Sequence, residues 1–533
     1  MKLAAPRISA ALIIGLLLAA PGNGLSEQLS NNPLQDGMQA LKAGDFAAAQ
    51  RILSPLVAHF PSAENTNYLA IAEAGAGNVV QAIAHFQESI RLGNNSAAVH
   101  TNLGMVYLQS GRHDNAVLEF RAAIAIDPKS VPSLYLLGVA LLDAGLPREA
   151  LPHLRKAHKL APDNGEIQVS LVRAQFQLGN NAAALELADR ALGGDSKNPS
   201  MIVALASLCV LHGQVQRARY MLEVANARMP HDFNIELSLA RVCLQAGEPK
   251  EALSALEDLP SEAAKPGEIM LLKGEARTLT GDFLLADADL AAALEADPRN
   301  PRYLIAHAWL KQREGQHKEA LGILSEVHEL EPQMPVVSLQ MAVAYYLLRL
   351  QSQARQACED AIRLDPHYGL AYCLLGALEL REKNFAGAQA AFQQAINWKP
   401  NVAQFHTLSG IALYKEGKLT ESHKELDRAL MLNPQSAQAH FYRGQVFARQ
   451  GNTEKAIVDL ETAVALLPNY RSAYAELAQL YEKNGQPAKA MAAAAREKSE
   501  QQGEESYNEL MLQQLEESGD EIGVLGLPAP KSP

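Results

Sequence analysis

The chain has 533 residues, of which 48% are hydrophobic, 5% aromatic and 20% charged, and its formal net charge is −12. Helix formers dominate and β-branched residues are sparse, which excludes a large sheet; the acidic balance excludes a generally basic surface for nucleic acid or anionic lipid. Four cysteines in so long a chain, none in a CxxC pair, exclude a disulfide-stapled fold.

Lys2 and Arg7 precede an apolar run from Ile8 to Ala20, which Pro21-Gly22-Asn23-Gly24 then breaks. This is the pattern of a secretory signal peptide, and a run of about 13 residues is shorter than the roughly 20 that span a bilayer. Residues 1–24 are therefore expected to be a cleaved signal peptide, giving a periplasmic or secreted chain. No cysteine follows the run to accept a lipid.

Length alone suggests three or four globular domains, but a 34-residue period replaces that count. Pro128, Pro162, Pro230, Pro298, Pro332, Pro366, Pro400, Pro434 and Pro468 share one frame, and only positions 196 and 264 of it lack proline. Seventeen residues ahead of the proline runs a glycine column that includes Gly77, Gly111, Gly145, Gly213, Gly315, Gly417 and Gly451. Five residues after that glycine stands alanine, as in Ala116, Ala150, Ala320 and Ala456, with Ser422 as the departure. Four residues further comes a larger, mostly apolar column, including Phe120, Leu154, Leu290, Phe392 and Leu460.

Each column has a physical task. The glycine takes the left-handed conformation that a tight helix–helix turn requires. The alanine lets two helix backbones approach, and the larger residue four positions on fills the seam on the same face. The proline ends the second helix, because it lacks an N–H and its ring clashes with the preceding turn. Ser130, Asn164, Asn198, Asp232, Asn300 and Ser436 stand where they cap the next helix, and Pro199, Pro301 and Pro335 where its first residue belongs. Two stretches falter: Ala191 to Asp195 ends in a glycine pair, and Pro260 comes four residues early.

The unit from Ala97 to Ser130, with Leu103-Gly104, Tyr107, Gly111, Ala116, Phe120, Ala123 and Pro128, resembles the tetratricopeptide repeat. The unit with Gly444, Phe447, Gly451, Ala456, Leu460, Ala463 and Pro468 repeats it. The resemblance implies an all-α fold, a right-handed α-solenoid superhelix of about fourteen helix-turn-helix units over residues 25–504. Tyr507 to Glu517 is expected to form a capping helix within a C-terminal segment, 505–533, that ends in a disordered tail.

No HExxH, GxSxG, phosphate loop or dinucleotide fingerprint occurs, so no enzyme activity, cofactor or metal is expected. His100, His406 and His440 share one repeat position, where the family favours bulky aromatics, and read as packed side chains. Cys209 and Cys243 read as buried thiols. Cys358 and Cys373 fall on neighbouring helices, and a disulfide between them is open in an exported protein.

The resemblance further implies that the first helices line a concave docking groove. An inner apolar column would hold Val203, Leu237, Leu271, Ile305, Leu339, Cys373 and Phe441. A basic column holds Arg313, Arg381, Lys415, Arg449 and Lys483. Arg313, Tyr346, Arg381, Tyr414, Lys415, Phe441 and Arg449 are thus the candidate partner-binding residues. Two readings of the basic column stand: a grip on an anionic peptide or polysaccharide, or cations that complement helix C-termini; because apolar residues dominate the inner column, a hydrophobic or helical partner segment is the expected occupant of the groove. The expected role is a non-catalytic protein-interaction scaffold in the cell envelope, with secretion, polysaccharide export or envelope assembly as its setting. A cytoplasmic adaptor or co-chaperone is the alternative.

Overall fold

The computed structural model describes residues 32–193, 198–257, 259 and 266–499. The expected signal peptide, the capping helix at 507–517 and the tail lie outside the described residues. Among those described are 28 helices and no strand, following one another as fourteen helix-turn-helix pairs. They form two compact bodies, one running to Val242 and one beginning at Cys243. Six pairs, from Pro33–Lys42 through Val215–Arg228, lie in the first body, and seven, from Pro266–Thr280 through Pro487–Ser499, lie in the second.

One repeat shows how the columns act. Helix Ala97–Gln109 ends at a turn where Gly111 sits at φ 72°. Its N–H donates to the Leu108 carbonyl at 3.1 Å, and Arg112 N–H donates to Tyr107 at 2.9 Å, so two end carbonyls are satisfied. The chain then returns as His113–Ile126, which stops two residues before Pro128. Ala116 and Phe120 are fully buried in the seam. A Cβ added to Gly104 would lie 2.7 Å from the Phe120 ring, so the early glycine is a matter of space. Burying a phenylalanine stabilises by about 2–3 kcal/mol, and that gain needs the glycine opposite.

Two departures explain each other. In the fifth pair Val172 holds the register of Gly104, and Ala188 holds that of Phe120; both are fully buried. Bulk has moved from the second helix to the first while the seam stays filled. The turn column has a different exception. Arg349 and Lys383 occupy glycine registers, yet adopt φ 61° and 62°, because each amide still closes the turn by donating to Tyr346 or Leu380. All six expected caps form, from Ser133 N–H to Ser130 Oγ at 3.3 Å through Ala439 N–H to Ser436 Oγ at 3.2 Å. Pro199, Pro301 and Pro335 each open a helix.

The early Pro260 has its effect: helix Pro249–Glu257 has 9 residues, against 14 in second helices such as Phe283–Ala296. The two irregular connectors fall largely outside the described residues, at 194–197 and 260–265. Within each body the second helix of a pair packs on the first helix of the next. The apolar interior is correspondingly serial. It runs from Leu41 to Ala174 in the first body and through successive clusters around Leu290, Phe392 and Leu460 in the second.

Candidate partner-binding face

First helices end in the register of the basic column, and a helix end exposes carbonyls at the negative pole of its dipole. Arg381, the last residue of Gly369–Arg381, donates at 3.0 Å to the carbonyl of Tyr346, near the end of Pro335–Leu347. Its guanidinium lies 3.8 Å from the Tyr346 ring centroid. Two repeats further, Arg449 repeats the arrangement on Tyr414, 3.9 Å from the ring and 3.4 Å from the carbonyl oxygen. Gln177 reaches the Leu142 carbonyl over the same 35-residue offset at 3.5 Å, without a ring. Both arginines therefore join consecutive repeats, through a cation–π contact and a helix-end hydrogen bond.

Tyr346 and Tyr414 are buried, and desolvation raises their pKa against the opposing arginine charges. They stay neutral and serve as seats for the cations. The Lys415 ammonium stands 5.9 Å from the Tyr414 centroid and 6.0 Å from that of Tyr442. Desolvation, and then the charge of Arg449, lower its pKa. Phe441 is buried and meets Tyr442 edge-on at 5.1 Å, while Tyr442 meets Tyr414 at 5.8 Å. The structure thus gathers Tyr346 with Arg381, and Tyr414, Lys415 and Arg449 with Phe441 through Tyr442. Arg313 holds the same register, partly buried, in an earlier repeat.

The apolar column proves to be interior. Leu237, Leu271, Ile305, Leu339, Cys373 and Phe441 are buried, and Val203 alone among that column is partly exposed. Their register points into the packing of successive repeats, which leaves the cations and neighbouring polar groups as the accessible chemistry. The disulfide left open by the sequence is not formed: none of the four cysteines is bridged to another, and all four are buried. Cys358 takes the seam register of Phe120, and shares a core with Cys373. Burial pushes the Cys373 thiol up to about 12 and Cys358 higher still, so neither is ionised for exchange.

The three equivalent histidines are packed, as expected, but each also has a partner. His100 Nδ1 meets Glu119 at 2.6 Å, His406 meets Glu425 at 2.7 Å and His440 meets Asp459 at 3.0 Å. The acid is 19 residues on in every case, a spacing visible in the sequence once the two helices are known to pair. Also unforeseen is a buried ion pair, Arg173 with Asp143 at 2.6 Å. Its signal was a sign reversal, since Asp143 holds the register occupied by cations in the C-terminal repeats. Among the described residues no group of three or more His, Cys, Asp or Glu side chains could hold a metal ion. Nor is any described helix long and apolar enough to cross a membrane.

Family comparisons agree with this architecture. Tetratricopeptide-repeat models match residues 34–97 and 407–469, 141–209 and 210–276, 97–130, and 370–402, together more than half of the chain. The chain belongs to the tetratricopeptide-repeat family. Cellulose synthase operon protein C of Pseudomonas fluorescens (strain SBW25) is 27% identical over 175 residues, 31% of this chain and 14% of that protein. The BBSome complex member BBS4 of Bos taurus is 23% identical over 328 residues, 53% of this chain and 63% of that one. The chain therefore spans less than two thirds of the length of either relative. The solved APC/C hetero-tetramer Cut9–Hcn1 contains a similar chain, at TM-score 0.44 and 14% identity, with 84% of this chain and 95% of that one covered. Tetratricopeptide-repeat proteins act as protein-interaction scaffolds, and that much carries over to this family member.

Proposed function

We propose that this chain is a non-catalytic scaffold of the bacterial cell envelope that docks a partner polypeptide on its first-helix face. The observation that carries the reading is the cationic register at the ends of the first helices, held over tyrosines of the preceding repeat. Cations fixed in this way present charge with little loss of side-chain freedom on binding, which is the economy of a preorganised interface. The envelope setting is supported by the basic end and apolar run of residues 2–20 and by resemblance to a cellulose synthase operon protein. Polysaccharide export is then the natural process for the partner to serve.

Two measurements test this. A photo-crosslinking residue at Ser207 or Gln479, exposed on first helices, should trap a partner in cells, whereas one at the exposed Leu118 or Leu284 of second helices should not. Equal trapping from both faces would refute the docking face. N-terminal sequencing of the mature chain should begin near residue 25; an intact Met1 would favour the cytoplasmic adaptor.

A further inference from the structure

A net charge of −12 excludes a basic surface in general, but the charge is unevenly spread. Helix Pro147–Leu160, the second of the fourth pair, carries Arg148, Arg155, Lys156 and Lys159 against the single carboxylate of Glu149. By contrast, helix Phe283–Ala296 carries Asp287, Asp289 and Glu295 and no cation. All four cations are exposed, and among the described residues none makes an ion pair or a side-chain hydrogen bond. Glu149 is taken by Arg121 of the preceding pair at 2.9 Å, a contact that sets helix His113–Ile126 beside Pro147–Leu160. The helix dipole does not account for the set. Lys159 lies in the last turn, where a cation is favoured, but Arg148 is the second residue, at the positive end. The excess is felt locally: burial first, then the charges of Arg121 and Lys156, lower the pKa of His153 on the same helix. Apolar side chains accompany the cations. Leu118 is 63% exposed one turn before Arg121, and Ile126 and Leu160, at 45% and 43%, occupy equivalent places at the two helix ends. Besides Glu149, Asp114 is the one exposed acid on these two helices.

We infer that the outer side of helices His113–Ile126 and Pro147–Leu160 rests on an anionic lipid bilayer, with Arg148, Arg155, Lys156 and Lys159 at the headgroups and Leu118, Ile126 and Leu160 at the acyl boundary. Basic and aliphatic side chains on one side suit that interface, where cations meet lipid phosphates and shallow apolar groups leave water. An acidic polysaccharide would satisfy the cations but offers no apolar region to the three aliphatic side chains. Phe120, the one Phe, Tyr or Trp on either helix, is buried, so no such ring is open for a sugar to stack on. The acidic remainder of the chain does not forbid the contact, because a Debye length of about 8 Å confines each group of charges to its own surroundings. No described helix is long and apolar enough to cross a membrane, and the contact is peripheral. It lies on second helices and uses no residue of the proposed docking face. A crosslinker at Leu118 then meets lipid and traps no polypeptide, as expected above.

The test is flotation of the mature chain, from residue 25, with vesicles of phosphatidylcholine containing about 30% phosphatidylglycerol. That chain keeps every described helix and lacks the apolar run of residues 8–20. It should bind these vesicles at low salt, bind pure phosphatidylcholine about tenfold less, and be released at about 0.5 M salt. Arg155→Gln with Lys156→Gln and Lys159→Gln should weaken binding about a hundredfold, and Leu118→Ser about fivefold. Lys318→Gln with Lys424→Gln, which removes two exposed cations of the second body, should leave binding unchanged. The helical signal and thermal transition of the triple variant should match those of the parent, since its altered side chains are exposed and unpaired; this separates loss of binding from loss of fold. Equal binding to neutral vesicles, failure to bind the anionic ones, or an unaffected triple variant overturns the surface. So does an equal loss from the Lys318 and Lys424 control. Soluble oligogalacturonate held through Arg155, Lys156 and Lys159, with vesicles ignored, overturns it in favour of a polysaccharide.

Discussion

Removing Arg443 should reveal how the C-terminal repeats hold together. In most repeats this register is leucine, as in Leu103, Leu137, Leu171, Leu239 and Leu477. Arg443 instead donates from Nε and Nη2 to the two oxygens of Asp459, both at 2.7 Å, and from Nη1 to Asp427 at 2.7 Å. Asp459 is only 4% exposed, and its remaining side-chain partner is His440 at 3.0 Å. Breaking a buried pair costs about 3–5 kcal/mol when the surviving charge stays inside. The Asp427 contact is far more exposed and adds less than about 1 kcal/mol. With His440 still in place, Arg443→Ala should cost about 3 kcal/mol. Burial is the largest influence on Asp459 and raises its pKa, but the Arg443 and His440 hydrogen bonds prevail and leave it below the usual carboxylate range. A group depressed in the folded state contributes stability fully above its unfolded pKa, about 3.9, and loses it as pH falls through the folded value. Without Arg443, burial dominates and Asp459 rises, so the deficit of the variant should be greatest near neutrality and shrink toward pH 4. Arg443→Leu combined with Asp459→Leu should restore most of the loss. Repeat arrays need not unfold in one step, so the assay is hydrogen exchange of peptides spanning 419–466, backed by urea unfolding. A cost below about 0.5 kcal/mol, or a double variant worse than the single one, would refute the reasoning.

Arg349→Gly and Lys383→Gly should each stabilise by about 0.5–1 kcal/mol, because both positions adopt the left-handed conformation; thermal unfolding would show the rise. Gly104→Ala should destabilise by about 1–3 kcal/mol, since its Cβ would lie 2.7 Å from Phe120, and Gly104→Ala with Phe120→Leu should recover part of that loss in the same assay. Arg381→Met should cost about 1 kcal/mol and loosen exchange protection at the end of Pro335–Leu347, through loss of the Tyr346 contacts. Native protein at pH 8 should resist iodoacetamide at all four cysteines, while urea exposes them; rapid native labelling of Cys358 or Cys373 would contradict their burial.

The helix pairs, their bends, their caps and their seams were legible in the amino-acid sequence because each depends on neighbours within one 34-residue unit. Gly111 closes the turn with Tyr107 and Leu108, Ser130 caps the helix that follows it, and Phe120 meets Gly104 sixteen residues earlier. A signal that recurs in every unit is read many times over, so Arg349 or Val172 departing from it does not obscure the fold. The candidate face was legible only as a row of residue types. Whether Leu339 faced a partner or the next repeat, and whether Arg381 was free or bound to the Tyr346 carbonyl, depends on how one pair rotates onto another. That rotation arises from packing between units, and only the tertiary structure decided it. The Arg443–Asp459 pair teaches the same lesson from inside a single repeat: a charge in a leucine register reads as a fault until the second helix brings its carboxylate within 2.7 Å.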